Sequence, residues 1–382
     1  MRSAARWTGI AALLAALLGC TKPKPASDEP FVFLEPVHYH VGLNPTSLLA
    51  ADLNGDGLLD LVTTNSNSNN VSVLLGRPKA TFSEHAMFDV GLRPRTAALG
   101  DLNGDGRVDL AVVNNMSDDL SILLGNGDGT FQKAVNFPLG RSPMAIAAGD
   151  LNHDGHADLL AVLRFDHLLV LKGRGNGTFE QIADYDPGDT PTALLLADLN
   201  KDSHPDVIVS NNGPMVSSMA LFYGKGDGTL QPGPRYAAKS RPLYAALARL
   251  NQDEAPDLIA VTPFANSLLL LMGDGRGGFL EPPTQISGEV EPVSVAAGDF
   301  NGDGRNDLAI ANTGSSDVSV LLGSGDGRFP SSQLYRANSR PIALWPADLN
   351  GDGLTDLAVA NNSSNDISIL LAIPPAPGGK TP

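Results

Sequence analysis

The segment DLNGDGLLD at residues 52–60 occurs in seven related copies along the chain, and this repetition indicates the architecture. The other copies are DLNGDGRVD at 101–109, DLNHDGHAD at 150–158, DLNKDSHPD at 198–206, RLNQDEAPD at 249–257, DFNGDGRND at 299–307 and DLNGDGLTD at 348–356. Successive copies lie about 50 residues apart, and a Pro stands seven residues before each of them. A fixed period of this length indicates a repeat architecture.

Each repeat also contains short apolar runs separated by Gly, Asn and Asp. In the second repeat the runs are RTAALGDL, DLAVVNN, LSILLG and FQKAVNFPL. Four strands per repeat predict an all-β fold, a seven-bladed β-propeller over residues 31–373. The segment GDGRGG at 273–278 matches a dinucleotide-binding fingerprint in form, but no helix pattern follows it, so we interpret it as a turn.

The two ends of the chain are expected to complete one blade between them. The last repeat lacks a Phe-marked fourth strand after ISILLA at 367–372. Counting back from Asp52 by the spacing of the complete repeats gives Phe33, within FVFLEPVHYHVG at 31–42. An N-terminal strand that closes the last blade would remove the exposed edges of an open ring.

These repeats resemble the FG-GAP/VCBS family, whose best-known members are the propellers of integrin α-chains. The resemblance covers roughly residues 31–373 and rests on the seven nine-residue loops. It implies a propeller that recognises a partner.

The loops themselves predict calcium sites. The pattern DxNxDGxxD places side-chain oxygens at positions 1, 3, 5 and 9, and Ca²⁺ takes six to eight oxygen ligands. The backbone carbonyl of position 7 would add one ligand. The predicted ligands are Asp52, Asn54, Asp56, Leu58, Asp60; Asp101, Asn103, Asp105, Arg107, Asp109; Asp150, Asn152, Asp154, His156, Asp158; Asp198, Asn200, Asp202, His204, Asp206; Asp299, Asn301, Asp303, Arg305, Asp307; and Asp348, Asn350, Asp352, Leu354, Asp356.

The loop pattern has two other interpretations. An EF-hand would need Glu at position 12, where the first loop has Thr63, and flanking helices. A metal-free turn would not explain the Asp at position 9 of every loop. Six intact loops hold 18 of the 42 acidic residues, which accounts for the acidic excess of the chain.

The fifth loop is expected to hold no calcium. Arg249 stands at its first position and Glu254 at its sixth. A guanidinium beside a divalent cation is repelled, and we expect Arg249 to bridge Asp253 and Asp257 instead. The sequence therefore predicts six Ca²⁺ ions.

Composition excludes several classes of protein. One Cys in 382 residues excludes a disulfide scaffold and a Cys-rich zinc site. The net charge of −16 argues against a nucleic-acid partner. The 41 Gly and 28 Pro exclude a mostly helical chain. We expect a monomer.

The first 19 residues have the features of a signal peptide. Arg2 and Arg6 flank an apolar run at 7–18 that is too short for a membrane span. The segment LLGC, ending at Cys20, resembles the lipobox of bacterial lipoproteins, which implies cleavage before Cys20 and its lipidation. Residues 20–30 then form a Pro-rich tether and 374–382 a C-terminal tail. This interpretation places the protein at the bacterial cell envelope, anchored to a membrane.

The sequence contains no GxSxG, HExxH or Walker motif, and no catalytic set of residues stands out. The face opposite the calcium loops is expected to gather Arg-bearing links between blades and Asn-rich turns. Its candidate ligand residues are Arg93, Arg95, Arg141, Lys239, Arg241, Arg340, Phe165 and Phe264. This composition predicts a calcium-stabilised binding or scaffold propeller for a glycan or protein partner. The alternative is a polysaccharide lyase or hydrolase with its site on the same face.

Overall fold

A computed structural model describes residues 32–238 and 240–373, and it confirms the seven-bladed β-propeller. Each blade is a four-stranded antiparallel sheet, and the blades form a closed ring. The predicted signal peptide (1–19), the lipidated Cys20 with its tether (20–30), Lys239 and the tail (374–382) lie outside the described residues. In the described part of the chain, no helix has the length and apolar character needed to span a bilayer.

Within a blade the strands follow one another from the centre of the ring to its rim. In blades 1 to 3 they are Pro45–Ala51, Asp60–Asn65, Asn70–Leu74, Ala86–Asp89; Pro94–Gly100, Asp109–Asn114, Asp119–Leu123, Val135–Pro138; and Pro143–Gly149, Asp158–Leu163, His167–Gly173, Phe179–Tyr185. In blades 4 to 6 they are Pro191–Ala197, Asp206–Asn212, Ser217–Gly224, Leu230–Ala237; Tyr244–Ala248, Asp257–Thr262, Ser267–Leu271, Thr284–Ser287; and Pro292–Gly298, Asp307–Asn312, Asp317–Leu322, Ser331–Arg336. Blade 7 has Pro341–Ala347, Asp356–Asn361 and Asp366–Leu370.

The N-terminal strand Val37–His40 supplies the outer strand of blade 7, as the sequence predicts. Just before it, Val32–Phe33 pairs with Ala372–Ile373. The Phe33 ring is buried and lies 4.9 Å from the Tyr335 ring of blade 6 in an edge-to-face contact. Phe82, Phe131 and Phe279 make the same contact with an aromatic residue of the preceding blade. Phe33 therefore takes the place of the missing Phe in the last repeat.

Two faces of the ring differ in their connections. The nine-residue loops join the first and second strands, and they lie beside the turns between the third and fourth strands. The turns between the second and third strands lie beside the links from one blade to the next, as in the hydrogen bond from Asn115 to Arg93. We call these the loop face and the link face. Pro263–Ala265, a single 3-10 turn, lies on the link face, and 273–279 forms the expected turn on the loop face.

The aspartate at position 9 of each loop ties the loop face together. In the first blade, Asp60 accepts the backbone N–H of Leu53 at 2.9 Å and that of Gly76 at 2.7 Å. The equivalent carboxylates accept the same two hydrogen bonds in all other blades, the fifth included. All seven side chains are at most 1% exposed. Each one therefore joins a loop to the turn that follows the third strand.

The fifth blade allows a test of this contact apart from any metal. We expect Asp257→Ala to lower the free energy of unfolding by about 2–4 kcal/mol, because two buried N–H groups lose their acceptor. The loss should be the same in calcium and in chelator, as measured by denaturant unfolding. Asp253→Ala, an exposed change of the same charge in the same loop, should cost under about 1 kcal/mol. Equal effects of the two variants would contradict the role given to Asp257.

Candidate functional site

Six of the seven loops share one backbone conformation. Their residues at positions 4 and 6 have positive φ, for example Gly55 at 77° and Gly57 at 84°. His153, Lys201 and Ser203 adopt the same conformation without being glycine, with φ of 58°, 64° and 71°. The turn that the sequence predicts at position 6 is therefore present in all six loops.

The polar side chains of positions 1, 3 and 5 turn into the loop. In the first loop Asp52 accepts backbone N–H groups from Gly55, Asp56 and Gly57 at 2.7 to 3.2 Å. The carbonyl oxygen of Asn54 accepts the N–H of Asp56 at 2.9 Å, and its amide N–H donates to the Asp56 carboxylate at 3.0 Å. The seventh loop repeats this arrangement with Asp348, Asn350 and Asp352. Oxygens from three side chains thus line the inside of each loop.

These carboxylates repel one another. Burial, and then the negative charges of Asp105 and Asp101, raise the pKa of Asp109 to about 6. The pKa of Asp356 is raised to about 6 and that of Asp307 to about 8 by the same causes. A cation inside the loop would relieve this repulsion, so the donor set fits a hard divalent ion.

The described residues contain no group of three or more His, Cys, Asp or Glu side chains spaced to hold a metal ion. Basic side chains approach position 5 in three loops: Arg107 lies 3.8 Å from Asp105, Lys172 3.3 Å from Asp154, and Arg305 2.5 Å from Asp303. In the first, fourth and seventh loops no described ion pair reaches the aspartates. The calcium assignment of all six loops stays a prediction.

The fifth loop has a different conformation. Neither Gln252 nor Glu254 has positive φ, and no carboxylate at position 1 gathers the backbone N–H groups. The expected bridge from Arg249 is absent, since no described ion pair joins it to Asp253 or Asp257. Asp257 instead accepts hydrogen bonds from two backbone N–H groups. Lys201 mainly lowers the pKa of exposed Glu254, and the positive charge of Arg249 lowers it further. The hydrogen bonds of Asp257 therefore do not involve the arginine.

The link face presents only part of the predicted ligand set. Arg93, Arg141 and Arg340 are exposed and have no ion-pair partner among the described residues. The guanidinium of Arg241 instead lies 4.3 Å from the centre of the Phe264 ring and donates to Asn212. Arg95 belongs to the central channel, discussed below.

The asparagines of this face are mostly structural, which corrects the expectation of an Arg/Asn surface. Asn65, Asn114 and Asn361 are fully buried and donate to side chains of the third strand. The next asparagine along, such as Asn115 or Asn362, donates to the Pro carbonyl that begins an adjacent blade. Amides used in this way hold blades together and are not available to a ligand.

A hollow of about 420 Å³ opens beside blade 3. Its lining residues include Arg141, Phe165, His167, Gln181 and Asp184. Phe165 is 58% exposed, and the His167 Nδ1 atom lies 2.9 Å from the Asp184 carboxylate. The sequence named Arg141 and Phe165 as candidate ligand residues but not the other three, because these meet only through the pairing of the third and fourth strands.

Two histidines meet on the loop face. His153 Nε2 lies 2.9 Å from His204 Nδ1, across the gap between the third and fourth loops. The sequence treats both as exposed spacers, since 51 residues separate them and only the equal position of neighbouring loops brings them together.

Ser203 offers a test of the shared loop conformation. Its φ of 71° is strained for a residue with a side chain, so Ser203→Gly should raise the free energy of unfolding by about 1 kcal/mol. Ser363→Gly is the matched control, an exposed serine without positive φ, and should lower it by up to about 1 kcal/mol. Denaturant unfolding measures both. A destabilised Ser203→Gly would show that the fourth loop does not adopt this backbone.

Comparison with known proteins agrees with this geometry. Residues 52–112, 101–161, 249–310 and 299–359 match the FG-GAP-like repeat family. No curated protein matches the chain. BBS1N in complex with ARL6DN has a similar structure, with a TM-score of 0.64 and 13% identity over 90% of this chain and 98% of that one.

Two further solved structures are similar to this chain. For Kuenenia stuttgartiensis hydrazine synthase the TM-score is 0.60 and the identity 14%, over 90% of this chain and 99% of that one. For a catalytically inactive virginiamycin B lyase from Staphylococcus aureus with quinupristin, the values are 0.57 and 13%, over 89% and 100%. At these identities the likeness shows the fold alone. The family match spans more than half of the sequence, and the chain therefore belongs to the FG-GAP-like repeat family.

Proposed function

We propose that this protein is a calcium-stabilised binding propeller that is held at the bacterial cell envelope by a lipid on Cys20 and recognises a glycan. The observation that carries the proposal is the hollow beside blade 3, where an exposed aromatic ring stands among charged and amide side chains. The lipobox-like LLGC supports the anchor, and the six loops of common conformation support the calcium.

Calcium would occupy the six loops that have Asp at position 1. In the first loop Asp52, Asn54, Asp56 and Asp60 would provide side-chain oxygens, with the carbonyl of Leu58. The ion would neutralise carboxylates that now face one another and would replace the hydrogen bond from Asn54 to Asp56. Its role is structural, because it would fix the loops on the face opposite the hollow.

Removal of calcium should therefore destabilise the fold. At a hundredfold excess over Kd, one bound ion adds about 2.7 kcal/mol to the free energy of unfolding, so several sites together should raise the Tm clearly. Excess chelator should lower the Tm, and Asp352→Ala should lower the bound calcium by about one ion per chain. Asp253→Ala in the fifth loop is the control and should leave the calcium content unchanged. An identical melting curve with and without chelator would contradict the proposal.

The hollow has the chemistry of a sugar site. An aromatic face such as that of Phe165 packs on the apolar face of a pyranose ring, while polar groups at the edge bind its hydroxyls. Gln181, His167 and Asp184 provide donors and acceptors, and Arg141 would favour an acidic sugar. Arg93 and Arg340 are further exposed arginines of the links, which also carry exposed Asp186 and Glu291.

A glycan array on the calcium-loaded protein tests this assignment. We expect binding to acidic oligosaccharides, and we expect Phe165→Ala and Arg141→Glu each to weaken it at least tenfold, because the ring platform or the charge is lost. Phe264→Ala and Arg340→Glu are the controls on the same face and should change it less than threefold. An equal loss of glycan binding in all four variants would show that the site lies outside the hollow. Binding to proteins alone would favour a protein partner.

One observation favours the alternative, an enzyme acting on polysaccharide. A histidine oriented by a carboxylate, as His167 is by Asp184, is an arrangement that can transfer a proton. The same array supports this function only if bound glycans are cleaved, which product analysis by mass spectrometry detects. If His167→Gln still binds the glycan but no longer releases product, the protein is an enzyme. Binding without product establishes the binding propeller.

A further inference from the structure

The seven first strands enclose a cavity of about 280 Å³ on the axis of the ring. Every first strand begins at the link face and ends at the loop face, so residues near its start lie at one mouth of the cavity. The deeper wall is apolar and includes Leu49, Leu99, Leu195 and Trp345. Thr46, Ser47, Thr96 and Thr192 lie near the strand starts, and so does Arg95. One mouth is therefore polar and the interior is not.

Arg95 is the charged residue of this wall. Its Nε donates to the carbonyl of Met144 at 3.1 Å, which fixes the guanidinium across the gap to blade 3. The two terminal nitrogens have no hydrogen-bond partner among the described residues, and the side chain is only partly exposed. A carboxylate that enters the cavity could therefore accept hydrogen bonds from these two nitrogens.

Arg95 has no ion-pair partner in the part of the chain that the structure describes. Burial mainly lowers the pKa of Arg95, and the charge of Arg164 lowers it further. Asp118 and Asp166, on the same face, accept backbone N–H groups of Ser142 and Thr190.

We propose that the cavity binds a small carboxylate with a short apolar chain, its carboxylate on Arg95 and its chain along the apolar wall. A planar guanidinium suits a carboxylate, which it can bind through two parallel hydrogen bonds. The volume lies just below the usual range for small-molecule sites, roughly 300–1,000 Å³, and so calls for a short chain.

This site is separate from the hollow and shares only the link face with it, so it goes beyond the proposed glycan function. The glycan proposal and the carboxylate proposal can be tested independently of each other. Phe165→Ala should leave the binding of a carboxylate unchanged, and filling the cavity should leave glycan binding unchanged.

Trp345 provides the readout. It lies in the cavity wall, and the only other tryptophan of the chain is Trp7, in the predicted signal peptide. The probes are octanoate, the neutral octanamide, and acetate, titrated into the calcium-loaded protein and followed by tryptophan fluorescence and calorimetry. We expect octanoate to bind at least tenfold more tightly than either of the other two.

Three variants decide where octanoate binds. Arg95→Gln should weaken octanoate at least tenfold and octanamide little, whereas Arg93→Gln, a control on the same face outside the cavity, should change neither. Ala343→Leu keeps Arg95 but places a larger side chain in the cavity wall, so it should weaken octanoate binding by a similar factor. This variant tests the site even if Arg95→Gln does not fold. Failure of octanoate to bind, equal affinity for octanamide, or equal losses in Arg93→Gln and Arg95→Gln would each overturn the proposal.

Discussion

The structure depends on one repeated interaction, the buried carboxylate at position 9 of each loop that accepts two backbone N–H groups. It joins the loop after the first strand to the turn after the third, and so aligns all inner strands of a blade. The approach is so close that a Cβ on Gly76 would lie 2.3 Å from the carbonyl oxygen of Leu59. The spacing between the loop and the glycine-rich turn in each repeat follows from this contact.

Much of the fold could be predicted from the sequence because the repeat is strict. Seven copies give seven blades, and the count back to Phe33 gives the blade that the two ends share. The sequence alone does not distinguish a metal ligand from an acceptor of backbone hydrogen bonds. The pattern predicts that the aspartate at position 9 binds metal, yet Asp257 accepts the same two backbone hydrogen bonds in the blade whose loop begins with Arg249. Its presence in every loop thus has a reason that needs no ion.

From the sequence, residues of the candidate site could be named only where each is recognised by its own position in a link or turn. Exposed Arg141 and Phe165 are candidates from their place in a link and a turn. Contacts between side chains were not predicted. His167 meets Asp184 through the strand register within blade 3, and His153 meets His204 through the packing of neighbouring blades. The asparagines of the turns were missed for the same reason: their pattern is typical of surface residues, but Asn115 and Asn362 donate hydrogen bonds to an adjacent blade. The sequence also predicts a bridge from Arg249 to Asp253 and Asp257, which the described ion pairs do not include.

The two faces of the ring thus differ in their charged groups. The loop face concentrates acidic groups whose mutual repulsion a cation would relieve, while the link face exposes Arg93, Arg141 and Arg340 without an ion-pair partner among the described residues. The most direct test of this division is a crystal structure with anomalous scattering measured for bound calcium. The account predicts ions in the first four loops and in the sixth and seventh, with none in the fifth. An ion held by Asp253 and Asp257, or six loops free of calcium at millimolar concentration, would contradict it.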